Sequence, residues 1–384
     1  MRIKILVSEL DIRGGTHKQV VRLACFLSQQ GHDVEILTNR YDAEATYKEA
    51  QQVPVRVLTH SSIPPRSRIY TIWIKWATIV KTSVELARFD GIINVHDNGF
   101  QSTICLTRLL SPSSYIIWQV NDLPGFFSEG IHGSLKSRPL DFLRRMLSRL
   151  AARSSNRLTV NVSKNRERVR RHYGVDAEVI HCGVDFPSTT SPDAGKHDAS
   201  KKNIRLLSIG VLFEYRNYES IIRAQKYLAD EKGIETSCSV IGQTNRSKEY
   251  HDQLLRLSAD LGIRFDLLGQ VNDEQLKNEF EHSDIFLFVN IDQSWGLAIF
   301  EAMARGIPCV VSNSVGAVEV LRDGEGVKIV DPTNIKEIAD AIVFLLDDQR
   351  RSAQQEAARQ YVKNMSWDSS YCRRVEQIFE NRLG

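Results

Sequence analysis

Several things are missing from this 384-residue chain, and each absence removes a class of protein. Its six cysteines, Cys25, Cys105, Cys182, Cys238, Cys309 and Cys372, never fall into a C-x-x-C or other metal-ligand spacing. That excludes a zinc ribbon and a disulfide-stapled scaffold, and it reads as buried thiols in a reducing compartment. No run approaches the ~18 consecutive apolar residues of a membrane-spanning helix. The start, Met-Arg-Ile-Lys-Ile-Leu-Val-Ser-Glu, has too short an apolar stretch for a signal peptide, so a cytoplasmic location is expected. The net charge of +3 is too small to point to nucleic acid. Short-period repeats and long low-complexity segments are absent as well.

What is present is ordinary globular composition, 42% hydrophobic and 25% charged, in a chain too long for one core. Short apolar runs alternate with helical periodicity, the pattern of parallel α/β layers. The runs are Ile3–Val7, Val34–Thr38, Val53–Leu58, Gly91–Val95, Tyr115–Val120, Leu158–Val162 and Val179–His181. Many are rich in Val and Ile without polar alternation, as strands buried on both faces should be. Residues 186–203 are polar, contain two prolines and read as a linker. A second series follows at Ile204–Gly210, Cys238–Gly242, Ile263–Gly269, Ile285–Asn290, Cys309–Ser312 and Val327–Val330. The expected architecture is α/β, with two doubly wound Rossmann-like domains, 1–185 and 204–365, facing a cleft. A terminal segment, 366–384, follows. Ligands in such sheets bind beyond the carboxyl ends of the strands.

Three strand-to-helix loops carry the chemistry. Ser8 to Lys18 includes Gly14-Gly15, where the backbone can approach a ligand beside free helix N–H groups; a tight turn is the plain alternative. It is not G-x-G-x-x-G, so a dinucleotide fingerprint is absent. Gly210 to Tyr218 places Arg216 where a guanidinium fork can hold a diphosphate, or where it is merely solvated. Asn290 to Asn313 runs from a strand end into a helix that starts near Gly296 and stops at Gly306. Amides near Gly296 and Leu297 can face a phosphate. Glu301, flanked by Phe300 and Ala302, can accept hydrogen bonds from vicinal sugar hydroxyls; a surface glutamate is the alternative.

Residues 293–313, Gln293-Ser-Trp-Gly-Leu-Ala-Ile-Phe-Glu301-Ala-Met-Ala-Arg-Gly-Ile-Pro-Cys-Val-Val-Ser-Asn, resemble the signature of family 4 glycosyltransferases, the large retaining GT-B family. Gly14-Gly15, Gln30-Gly31-His32-Asp33-Val34, Val162-Ser163-Lys164, His181-Cys182-Gly183-Val184-Asp185, Gly210 to Arg216, and Leu267-Leu268-Gly269-Gln270-Val271 resemble further family segments in order. The resemblance spans nearly the whole chain and implies transfer of a sugar from a nucleoside diphosphate to an acceptor hydroxyl with retention. The acceptor would be a sugar, a lipid-linked molecule or another hydroxyl. No metal or other cofactor is expected, because helix N-termini and a cation can meet the charge of the leaving diphosphate. The terminal segment with Trp367 and Tyr371 would cross back to the first domain.

Carried over by position, Glu301 holds the ribose, and Ser294, Trp295, Gly296 and Leu297 line the phosphate or sugar. Gln270 and Val271 lie beside the base, and Gly14, Gly15 and Gly210 approach the donor. Arg216 stands in the place of a lysine. Three positions depart from the pattern: Gln293 replaces a glutamate that touches donor-sugar hydroxyls, Val211 replaces a phosphate-binding arginine, and Asn121 replaces a histidine near the sugar. Arg216, Gln293 and Asn121 are therefore the candidate catalytic residues. An epimerase, a relative with altered or lost transfer activity, and a two-domain periplasmic sugar-binding protein are the competing readings. Separately, residues 136–171 hold twelve Lys or Arg against Asp141 and Glu167. With Arg66, Arg68, Trp73 and Trp76 such a face suits a peripheral contact with anionic lipid; a solvated helical face is the alternative.

Overall fold

Strands that read as continuous apolar runs are the ones buried on both faces. Ile92–Val95 (β4), Ile285–Phe288 (β11) and Cys309–Ser312 (β12) are buried at every residue, as inner strands of parallel sheets must be. The computed structural model describes residues 1–58, 68–124, 127, 139–186, 203–244 and 247–382. The stretch 187–202, most of the expected linker, lies outside the described residues, as do Arg66, Lys136 and Arg138.

The chain divides into two units, Met1–Cys182 with Trp367–Gly384, and Gly183–Ser366. In the first, β1 (Arg2–Leu10), α1 (Gly15–Gln29), β2 (Asp33–Tyr41), β3 (Val55–Val57) and α2 (Arg68–Ala87) precede β4. Then come α3 (Gln101–Leu110), β5 (Tyr115–Val120), α4 (Pro139–Ser154), β6 (Arg157–Val160), α5 (Ser163–Tyr173) and β7 (Glu178–Val179). The sheet is parallel in the order β3-β2-β1-β4-β5-β6-β7. Leu6, Leu37, Ile93, Ile116, Trp118 and Tyr173 form its core, with the Trp118 and Tyr173 rings stacked at 5.7 Å. A π-helical turn, Trp367–Cys372, packs against α1 and leads into α12 (Arg373–Glu380).

The second unit repeats the plan with six parallel strands. They are β8 (Asn203–Ile209), β9 (Glu235–Ile241), β10 (Arg264–Gly269), β11, β12 and β13 (Val327–Val330), in the order β10-β9-β8-β11-β12-β13. Its helices are α6 (Tyr218–Lys232), α7 (Lys248–Asp260), α8 (Asp273–His282), α9 (Leu297–Ala304), α10 (Ile335–Leu346) and α11 (Asp348–Val362). Helix α10 lays Ile338, Ile342 and Leu345, all fully buried, into the core shared with α6; each such side chain contributes roughly 1.5–3 kcal/mol.

In both sheets the chain grows outward on one side and then restarts on the other. The reversal lies between β1 and β4 in the first unit, and between β8 and β11 in the second. At such a point two neighbouring loops diverge and leave a crevice outside the strand ends. All six cysteines are free, and five are buried. Among the described residues no helix is long and apolar enough to cross a membrane.

Candidate functional site

In the second unit the loops after β8 and β11 flank the reversal and are bonded to each other. Ile291 N donates to Tyr215 O at 2.7 Å. Asn217, in left-handed geometry (φ 57), donates from its amide to Val289 O at 3.1 Å and Pro332 O at 2.8 Å. Asparagine tolerates this conformation better than most residues, so the turn ending at Arg216 stops there and α6 begins.

The guanidinium of Arg216 lies against Gly210: a Cβ on that glycine would fall 2.7 Å from Cζ. It sits over the rings of Tyr215 and Phe288, 5.1 and 5.8 Å from their centroids. Only one orientation of the Asn290 amide pairs both of its ends. In it the oxygen accepts from Arg216 Nη1 at 2.8 Å and the nitrogen donates to Arg216 O at 3.2 Å. Arg216 Nε is buried without a partner among the described residues. The cation is therefore held in place by aromatic faces, an amide and a missing side chain.

Beside it, Gly296 (φ 105) caps the start of α9; a Cβ there would come within 2.8 Å of Phe288 and 2.9 Å of Ile299. A positive φ and a packed neighbour both require glycine; Ile299 N donates back to Gly296 O at 3.1 Å, while the amides of Leu297 and Ala298 precede the first carbonyl acceptor of the helix. Glu301 lies in the second turn of α9, half-buried. Arg305 one turn on donates to Glu301 O at 2.8 Å and stacks on Phe280 at 4.3 Å. Burial pushes the Arg305 guanidinium down from its ordinary value, against the opposing pull of Glu301.

Gln293 anchors its loop by its backbone, O accepting from Gly316 N at 2.9 Å, while its Oε1 is buried without a partner among the described residues. Ser294 and Trp295 are buried, and the Trp295 ring stacks on Phe300 at 4.9 Å, so that ring serves as core of the loop. Gln270, exposed, and Val271, half-buried, follow β10, two strand spacings or roughly 10 Å from the Gly210 loop. The structure thus gathers Gly210, Arg216, Gln293, Gly296, Leu297 and Glu301 on loops flanking β8 and β11, with Gln270 and Val271 at the outer end.

The first unit holds Gly14, Gly15 and Asn121. Gly14 precedes α1, its O accepting from Lys18 N at 2.9 Å, and Gly15 is exposed. Asn121 is committed to a polar network: its amide donates to Gln19 Oε1 at 2.8 Å and Thr16 Oγ1 at 3.2 Å, and its oxygen accepts from Gln119 at 3.0 Å. It positions the first turn of α1 from across the sheet.

Sequence reasoning did not single out Asn217 or Asn290 as partners of the Arg216 loop. It also missed the group where β1 and β4 end. There Asp97 accepts from Ser8 Oγ at 2.8 Å and Gly99 N at 2.7 Å, and Ser8 N also donates to it. His17 lies near Asp97, its pKa lowered mainly by burial, with Asp97, Glu9 and Asp11 pulling the other way. The only sequence signal was position, an Asp at the end of an apolar run.

Paired doubly wound sheets with anion-suited loops at their reversals are the layout of the GT-B glycosyltransferases. The chain belongs to family 4 of these enzymes: the family model Glycosyltransferase Family 4 matches residues 13–186, and Glycosyl transferases group 1 matches residues 191–365. It is similar to the D-inositol 3-phosphate glycosyltransferase of Corynebacterium kroppenstedtii, 26% identical over 271 residues, covering 64% of this chain and 58% of the relative. The chain thus spans little more than half of that relative's length. It is also similar to the phosphatidyl-myo-inositol mannosyltransferase of Propionibacterium freudenreichii, 27% identical over 329 residues, 82% of this chain and 77% of the other. In fold it matches the crystal structure of Anabaena HepE in complex with UDP and glucose, with a TM-score of 0.77 at 17% identity, covering 98% of this chain and 99% of that one.

Proposed function

We propose that the chain transfers a sugar from a nucleoside-diphosphate sugar to an acceptor hydroxyl with retention of configuration. The observation that carries this is the fixed Arg216 guanidinium beside the first turn of α9, both at the strand reversal of the second unit. Such a pair is prepared for the two negative charges of a leaving diphosphate, so the reading calls on no metal or cofactor. The departing phosphate oxygen takes the acceptor proton, and no protein nucleophile is needed. Glu301 holds the ribose hydroxyls, and Gln293 lies by the donor sugar. The names of the relatives favour an acceptor of the inositol phosphate or lipid-linked kind. A peripheral contact with the cytoplasmic face of a membrane belongs to the same reading.

Thermal unfolding with UDP, GDP, ADP and free sugars tests it. A nucleoside diphosphate is expected to raise the melting temperature; stabilisation by free sugar alone would support a sugar-binding protein. Glu301→Ala is expected to weaken donor binding roughly ten- to a hundredfold, the value of hydrogen bonds to a charged group. Unchanged affinity by calorimetry would remove Glu301 from the ribose. Gln293→Glu is expected to change which donor sugar is turned over fastest in a nucleotide-release screen. An identical ranking would place that side chain away from the sugar.

A further inference from the structure

Helices α2, α3 and α4 form one layer of the first unit, α3 packing between the other two. The solvent side of this layer is apolar. On α2, Trp73 is 69% and Trp76 59% exposed, while Thr82 and Ser83 of the same helix are buried. On α4, Phe142 is 68% exposed, with Leu143, Met146 and Leu150 each about half exposed. Isolated exposed apolar residues are ordinary, but large ones repeated at helical spacing on helices of one layer mark a surface that something covers.

Among the described residues of α2 and α4 the exposed charges are of one sign. Lys75 and Lys81 on α2, and Arg144, Arg149 and Arg153 on α4, are exposed. The acid of α4, Asp141, is paired with Arg144 at 3.1 Å. The acid of α2, Glu85, is tied down by Lys4 and by Arg56, whose Nη1 reaches it at 3.0 Å. These bonds, those of Arg56 first, depress the Glu85 carboxyl to about 2 and tie α2 to β1 and β3. A second copy seated face to face would bring these cations against themselves. Anionic phospholipid meets both features: phosphates for Lys and Arg, and an interfacial region in which Trp is favoured.

We propose that the outer face of α2, α3 and α4 docks on an anionic membrane surface, with Trp73, Trp76 and Phe142 entering the headgroup boundary. The proposal rests on the acceptor reading above, since it names the surface from which a lipid-linked acceptor is taken.

Co-sedimentation with phosphatidylcholine vesicles, with and without phosphatidylglycerol, tests it in the absence of donor. The full chain is expected to pellet with the phosphatidylglycerol vesicles and to be released by salt. Trp73→Ser with Trp76→Ser is expected to lower partition at least about tenfold with an unchanged melting temperature. Lys75→Gln with Arg144→Gln is expected to lower it roughly fivefold per residue, on the anionic vesicles alone. Variants that bind like the parent, or equal binding to both vesicle types, would overturn the proposal. So would a dimer that the tryptophan variant abolishes in a chain that ignores vesicles; the face would then belong to a second copy. A chain that binds vesicles but takes no nucleotide upholds this face and defeats the transfer reading, and the converse result defeats the face alone.

Discussion

Gly210→Ala is expected to keep its melting temperature while losing roughly ten- to a hundredfold in affinity for the nucleotide donor. Gly210 does not have a positive φ, so alanine fits its backbone. The added Cβ would stand 2.7 Å from Cζ of Arg216 and 2.9 Å from its Nε and Nη1. What it strikes is the end of a flexible side chain, which moves at little cost to the fold. Moving it breaks the 2.8 Å bond to Asn290 and lifts the cation off the Tyr215 and Phe288 rings. The charge stays in the protein but leaves the place where a diphosphate would meet it.

Calorimetric titration with the nucleotide in a double-mutant cycle makes the test specific. In an Arg216→Ala background, Gly210→Ala should cost nothing further, because the group it displaces is gone. Additive losses would mean that Gly210 meets the donor through its own backbone. Parental affinity in Gly210→Ala would show that the diphosphate is not held by this guanidinium at all.

Much of the scaffold was legible in the sequence because parallel strands declare themselves as buried apolar runs. Tyr115–Val120, Cys309–Ser312 and Val327–Val330 fall at the residues the runs indicated. The run Val53–Leu58 shrinks to Val55–Val57, because β3 is an edge strand that pairs only along β2. Loop geometry was partly legible. The glycines and Arg216 mark the turn after β8, but the amide that fixes Arg216 comes from Asn290, on a neighbouring strand end. Asn121 shows the same gap more sharply. Its partners Thr16 and Gln19 lie about a hundred residues earlier and meet it only because β1, β4 and β5 are adjacent. Non-local pairing follows from strand order, which no local pattern encodes. The exposed face of α2 was half legible: Trp73 and Trp76 stood out as an interfacial edge, but which stripe of the helix meets solvent did not, because an apolar stripe facing out has the same period as one facing in.

Lowering the pH from 7 to 5 is expected to cost the parent chain about 2 kcal/mol more stability than it costs His96→Leu. His96 sits at the end of β4, 1% exposed, both ring nitrogens without partners among the described residues. Burial alone holds its pKa down to about 3. An unfolded chain takes up a proton there near pH 6.5. Between those values the unfolded state binds one more proton than the folded state, so stability falls as pH falls. At pH 5 the folded ring is still neutral, and the loss depends only on the unfolded value, one and a half units above, at about 1.4 kcal/mol per unit. His17, also shifted down by burial, adds a loss of the same sign, but it is present in both chains and cancels in the comparison. Denaturant titrations at the two pH values measure the difference. A parent and variant that lose the same stability would mean that the His96 ring finds a partner or water in the folded chain. That outcome would also change the picture of the β1–β4 reversal, since Asp97, the next residue, is held there by Ser8.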